Sequence, residues 1–411
     1  MGEDLRARPA SPAVRRLRQP LRVLGTSVTQ TRAIMRTAAE DLGLEFEFIT
    51  RDGTEAQRQG ALRPGSFDVY DQWFHDIDLI WPTGSVQPID ISRIHRWDEI
   101  NALPKTGRLR PDLPRAAGGC PSDRLYVQSD GSLASFTSDR VSMVPTVHNA
   151  DSFAVAGADP DKVTSWAALL SPEWAGRVAL QADAAIGSID MLLALRALGE
   201  LQTAEDCDLT LEEIDALTNR LDGYVQSGHF RCIWSDEAEV VHAMCRDAPV
   251  IGSLWWSGLT KLRALGVPVN MVTPVEGYRG WFGGLALSAR AEGWVRDAAY
   301  DYINWWLDGR PGALMARSGA YMANPDVVRA HLSAAEWDFW YDGRPATVDI
   351  RDPEGSVIFQ AGALREGGDY TTRMSRVRVW DTVMTEHNYL VRRWEHALSS
   401  GVGEGVSLSV F

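Results

Sequence analysis

Apolar residues fall into short runs near the start of the chain, and the gaps between the runs change period. LRVLG reads as a buried strand and TSVTQ as a polar turn. Ile34, Met35, Ala38 and Leu42 then recur at helical spacing, and a second strand ends at Arg51-Asp52-Gly53. This is a β-α-β opening. SFDVYDQWFHDIDLI predicts a third strand followed at once by Trp73, Phe74 and His75. These side chains therefore fall at a carboxyl end of a sheet, where open α/β sheets bind their ligands.

Residues 104–131 show no period and are rich in Pro, Gly and Arg, which predicts a loop. VSMVPTVHNADSFAVA predicts a strand pair, and helical spacing resumes in SWAALL, IDMLLALRALGE and TLEEIDALTNRLDGYV. Thr210 and Glu213 in the last of these have capping-box spacing. APVIGSLWWSGLTKLRALG predicts strand, turn and helix, and VPVNMVTPVEGYRGWFGGLALS a pair of strands. GWVRDAAYDYINWWLDG reads as an amphipathic helix closed by Gly309, and Asn324-Pro325 as the start of another. Alternation of strands and helices throughout predicts an α/β class with mostly parallel sheets. The tail SSGVGEGVSLSV lacks the strand and helix that a dinucleotide-binding glycine motif needs.

With 411 residues the chain exceeds the usual size of a single core, so two domains are expected. A net charge of −14 opposes the field of nucleic acid, which excludes that partner class. The same charge suits solubility and small cations. Sixteen tryptophans are the compositional oddity, and a flat, amphipathic ring is useful where a partner must be met. Residues 1–20 are rich in Arg, Pro and Ala, without the apolar stretch of a secretory leader, and read as a flexible segment. No phosphate loop, HExxH, CxxC or GxSxG is present, which lowers the expectation of a cofactor or catalytic set without removing it, since scattered carboxylates could still pair in space. His229-x-x-Cys232 and His242-x-x-Cys245 have the look of a two-plus-two zinc set. The competing readings are ordinary buried residues or, in an exported chain, a Cys232–Cys245 disulfide.

GADPDKVTSWAALLSPEWAGRVAL at 157–180 resembles the spermidine/putrescine-binding family of extracellular solute-binding proteins of ABC importers. The likeness continues through RALGE, VIGSLWWSGLTKLRALGVPVNMVTPVEGYRGWFGGLALS and SGAYMANPD, and spans roughly 20–335. It implies a type II periplasmic-binding-protein fold: two α/β lobes closing like a hinge on a small solute. The crossings would fall near Val141–Pro145 and Val272–Val275. Lobe 1 would take 21–140 and 276–330, lobe 2 141–275, and 331–411 would be a helical extension packed on the lobes. The resemblance also implies a periplasmic, monomeric non-enzyme, with no cofactor or resident metal, that delivers its solute to permease subunits. With the start taken as genuine, the chain would be cytoplasmic.

By position, Trp255 and Trp281 match the family's stacking tryptophans, Tyr321 a tyrosine that bonds an amine, and Ser235 and Asp183 a serine and an aspartate of the site. Trp73 to His75 stand where the family has a Ser and Tyr pair, and His148 where a cleft tryptophan sits. Two carboxylates are missing. Gly283 stands where the family has the aspartate that clamps an ammonium, and Ile186 or its neighbour, the local spacing being two residues longer, where it has a glutamate. A buried ammonium without a carboxylate suffers a penalty of several kcal/mol. The expected solute is therefore a small organic cation or zwitterion, such as a quaternary ammonium, held in an aromatic box of Trp73, Phe74, Trp255, Trp281 and Tyr321. Arg279 would fork a solute carboxylate, and Gly283 and Gly284 would allow close approach of the backbone. Two alternatives stand beside this. One is true polyamine binding, with Asp71, Asp76 or Asp151 as relocated carboxylates; the other is an enzyme or cytoplasmic sensor on the same scaffold.

Overall fold

The computed structural model describes residues 19–246 and 250–400. Parallel pairing builds one half of the molecule: β1 (Leu21–Gly25) lies between β2 (Phe46–Thr50) and β3 (Val69–Trp73). Helices α1 (Arg32–Leu42) and α2 (Gly53–Leu62) connect the three, capped by Thr31 and Asp52, whose side chains accept from the third backbone N–H that follows.

A single 13-residue strand, β4 (Val144–Ala156), then runs out of this half and into the next. The expected strand pair here is corrected to one continuous strand. Residues Val144 to Asp151 pair with the later strand β9, and Ser152 to Ala156 pair with β7. The change of partners comes at Asp151/Ser152, later than the Val141–Pro145 stretch expected. The second half repeats the parallel scheme with β5 (Val178–Gln181), β6 (Phe230–Trp234) and β7 (Val250–Leu254). Its helices are α3 (Ala184–Ala197), α4 (Leu211–Gln226) and α5 (Trp256–Ala264). The capping box of Thr210 and Glu213 is formed at the start of α4.

The chain returns through β8 (Val269–Met271), which pairs with β4 in the second half, and residues 272–277. It then enters β9 (Tyr278–Ser288), which pairs with both β4 and β3. The parallel halves are thus joined by antiparallel crossing strands, the two-lobed arrangement expected. Helix α6 (Gly293–Trp306) ends before Gly309, which starts the next helix instead of closing this one.

The C-terminal extension is more than helices. After α7 (Ala334–Trp340) come the hairpin strands β10 (Ile350–Arg351) and β11 (Val357–Phe359) and the short α8 (Tyr370–Ser375). Strand β12 (Val377–Trp380) then pairs in parallel with β9, and α9 (His387–Ser399) packs on α4 and α3. No helix among the described residues is long and apolar enough to cross a membrane. The glycine-rich tail 401–411 and residues 1–18 lie outside the described residues.

Candidate functional site

Trp73 is the last residue of β3, and its ring lies on the first turn of α2 because Gly53 has no side chain: a Cβ there would stand 2.1 Å from the ring. Trp255 is the last residue before α5 in the other lobe. The two indoles meet across the lobes with ring centroids 5.7 Å apart. His75 stacks on Trp73 at 6.2 Å, and Trp234 meets Trp255 edge-on at 5.0 Å. Trp73 and Trp255 are each only 5% exposed, so the lobes are closed over this cluster.

Carboxylates converge on the same place. Asp183 caps α3 by accepting from Ala185 N–H at 2.8 Å, so the residue serves as a helix cap and stands at the lobe boundary together. Asp76 accepts from Gln57 Nε2 and Tyr70 Oη, both at 3.0 Å. Burial and, next, the nearby Asp183 charge push its pKa up to about 8. Asp183 is also raised, by burial first, with Asp52 adding repulsion from the cap of α2. His75 supplies no cation here: burial, then the neighbouring His387 and Arg279, push its pKa down to about 3. Among the described residues no Lys or Arg forms an ion pair with Asp76 or Asp183. Buried carboxylates short of positive charge are what a small cation would complete.

The other expected site residues lie elsewhere. Opposite residues in an antiparallel pair share a face, and neighbours alternate. Trp73 pairs with Gly283, which places Gly283, Trp281 and Arg279 on one face; His148 pairs with Phe282 and Tyr321, on the other. Trp281 donates its indole N–H to Asp151 Oδ2 at 2.6 Å. Arg279 is 1% exposed, with Nε on Asp190 Oδ1 at 2.8 Å and Nη1 on both oxygens of Asp381 at 3.0 and 2.9 Å. Burial pulls its pKa down, yet the charges of Asp190, Asp381 and Asp151 outweigh that and hold it above its ordinary value. Its fork is filled by the chain's own carboxylates, not left for a solute. A Cβ at Gly283 would stand 2.8 Å from Val147 Cγ1, so the glycine is packed against and opens no space for a solute. Phe74 is fully buried beneath Gly284, within the first lobe's core. Ser235 is half-buried after β6, next to Trp234, with its N–H on Glu239 at 2.8 Å.

His148 and Tyr321 join a second aromatic cluster under the C-terminal extension. His148 Nε2 is 3.0 Å from Tyr370 Oη, and burial pushes its pKa down to about 3. Tyr321 meets Tyr341 and Tyr370 at 5.3 and 4.7 Å. The Arg365 guanidinium sits over Trp256, Tyr321 and Trp340 at 4.3, 4.5 and 5.0 Å. Sequence reasoning missed Asp52, Trp234, Arg365 and Asp381. An aspartate before GTEAQ marks a helix start and would have placed Asp52; nothing in the pattern marks the other three. The zinc and disulfide readings find no support. All four cysteines are free, His229 bonds Leu169 O at 2.9 Å, and no metal-holding group of three His, Cys, Asp or Glu gathers among the described residues.

No family model matches the chain. It is 23% identical over 316 residues to the spermidine/putrescine-binding periplasmic protein of Escherichia coli (strain K12), covering 74% of this chain and 76% of that one. A solved Listeria monocytogenes structure described as a spermidine/putrescine ABC transporter superposes with a TM-score of 0.64 at 15% identity, over 92% of this chain and 99% of that one. MotA from A. tumefaciens B6, solved with glucopine, superposes at 0.57 and 13% identity, over 93% and 98%. By sequence relationship and by fold, the chain is similar to the spermidine/putrescine-type solute-binding proteins of ABC importers, which are not enzymes, and it has their two-lobed type II architecture.

Proposed function

We propose that the chain is the solute-binding component of an ABC importer, acting outside the cytoplasmic membrane, and that its solute is a small organic cation received at the lobe boundary, where the touching rings of Trp73 and Trp255 must part to admit it. One observation carries this: indoles from opposite lobes meet at 5.7 Å beside Asp76 and Asp183, two buried carboxylates without an ion-paired Lys or Arg among the described residues. A cation over an indole face gains about 0.5–2 kcal/mol per ring. Of these carboxylates, Asp183 matches a site aspartate of the resembled family, and Asp76 adds a second beside it. Asp76 is one of the relocated acids considered for polyamine binding, so primary amines belong to the solute class along with quaternary ones. The zwitterion reading loses its anionic clamp, because Arg279 already holds Asp381. MotA's glucopine shows that this fold takes solutes other than polyamines.

Thermal-shift measurements with putrescine, spermidine, choline, glycine betaine and glutamate test the reading. Saturation at about 100 times the dissociation constant adds about 2.7 kcal/mol of stability. The expected result is a rise in melting temperature with one or more of the cations and none with glutamate. Stabilisation by glutamate alone would refute it.

A further inference from the structure

Two charge sites expected to receive solute are filled by the chain's own C-terminal extension. Arg365 brings a guanidinium to Tyr321, and Asp381 brings a carboxylate to Arg279. We propose that residues 365–399 form a built-in strap that stands in for a guest at these sites and holds the lobes closed while no solute is bound.

The strap is fastened on both sides of the crossing strands. At its start, Arg365 donates to Trp340 O and Gly319 O, and Arg373 to Ala150 O, just before β4 changes partners. Both guanidinium groups also lie over Trp256, at the head of a second-lobe helix, at 4.3 and 4.8 Å. Next, β12 pairs with β9 at Tyr278–Gly280, continuing the row in which β3 pairs with Gly283–Leu287. Asp381 N–H then donates to Gly280 O at 2.8 Å. Through Arg279, Asp381 is linked to Asp190 on α3, so a single guanidinium joins a crossing strand, the second lobe and the strap. All three side chains are at most 1% exposed.

Beyond this point the strap lies on the second lobe. Thr385 bonds Asp208, Tyr389 Oη bonds Asp215 at 2.8 Å, and Trp394 Nε1 donates to Ala182 O at 2.7 Å. Ala182 immediately precedes Asp183, so the strap's last helix grips the segment that carries the cleft carboxylate. Opening the lobes about 151/152 and 272–277 would draw Asp190 and α9 in the second lobe away from the strap's first-lobe end at Gly319 and Trp340, with the Arg279–Asp381 pair as the joint between them, so it would require release of Asp381 or of α9.

The test is a spin-label distance measurement on the full chain without solute, so its outcome is independent of which solute binds. Arg58→Cys on α2 and Glu212→Cys on α4 carry the labels, with Cys207, Cys232 and Cys245 changed to serine; both label sites are exposed, and Cys120 is buried. The parent should give one short-distance population. Asp381→Asn, near-isosteric, should add a longer-distance population, and Thr385→Ala/Tyr389→Phe, at the strap's outer contacts, should do so to a smaller extent. Circular dichroism melting confirms that each variant is folded before labelling. Closed distances in both folded variants, or an open population already present to the same extent in the parent, would overturn the proposal.

Discussion

Two aromatic clusters flank the crossing strands, and they differ in how their charges are balanced. Under the extension, Tyr321, Trp256 and Trp340 surround Arg365, a cation supplied by the chain, bonded to two carbonyls and pushed down by burial to about 10. At the lobe boundary, beside Trp73 and Trp255, Asp76 and Asp183 form no ion pair with a Lys or Arg among the described residues, and burial raises both. Rings alone do not mark a binding site in a chain with sixteen tryptophans. Rings beside unbalanced buried charge do, because only there does an incoming ion offset a cost already present.

This contrast breaks most readily at the lobe boundary. Asp183→Asn keeps a helix cap but removes the charge, and Trp255→Ala removes one wall. Each should weaken cation binding about 100-fold or more, the scale of losing one partner of a buried charge pair or an aromatic hot spot. Calorimetric titration against the parent checks both.

The opposite behaviour is expected of Arg365→Met. It should lower stability by about 2–4 kcal/mol, through lost cation–π contacts and carbonyls left unpaired, while solute affinity in the folded protein changes far less than in Asp183→Asn or Trp255→Ala. Urea denaturation and the same titration separate the two quantities. A smaller effect belongs to the glycine between the clusters. Gly283→Ala pushes a Cβ to within 2.8 Å of Val147 and should cost about 1–3 kcal/mol, and adding Val147→Ala should recover most of it.

The smallest effect is on pH. Asp76 at about 8 and Asp71 at about 7, both raised by burial, hold protons in the folded chain that the unfolded chain has lost above about pH 4. Between the two values the folded state binds more protons, so stability falls as pH rises. His75 and His148, pushed down to about 3, act mainly below the unfolded value near 6.5, where they make stability fall as pH falls. From pH 6.5 to 8 the aspartates outweigh the fading histidine contribution, and unfolding free energy should drop by about 1.5 kcal/mol. Asp76→Asn should flatten that slope.

The halves of the fold were readable because period and capping agree locally: the opening β-α-β, the Thr210–Glu213 box and the strand and helix around Trp255 all form as the pattern predicts. Strand β4 was split in the reading because both its ends are apolar and nothing local marks a change of partner. Trp73 was legible as a strand-end aromatic, and Trp255 came from its position in the family resemblance. Arg279 was misplaced, since a lone arginine on a strand does not show which carboxylates fold against it. Asp190 lies 89 residues away and Asp381 102, beyond any local spacing.

The central claim is most directly tested by titrating choline and putrescine into the parent protein at pH 7 in two buffers of different ionisation enthalpy. A cation that settles beside Asp76 favours its charged form, so binding should release protons, seen as a buffer-dependent heat that is lost in Asp76→Asn. Tight binding of either cation with the same heat in both buffers, and undiminished in Asp183→Asn, would contradict the account.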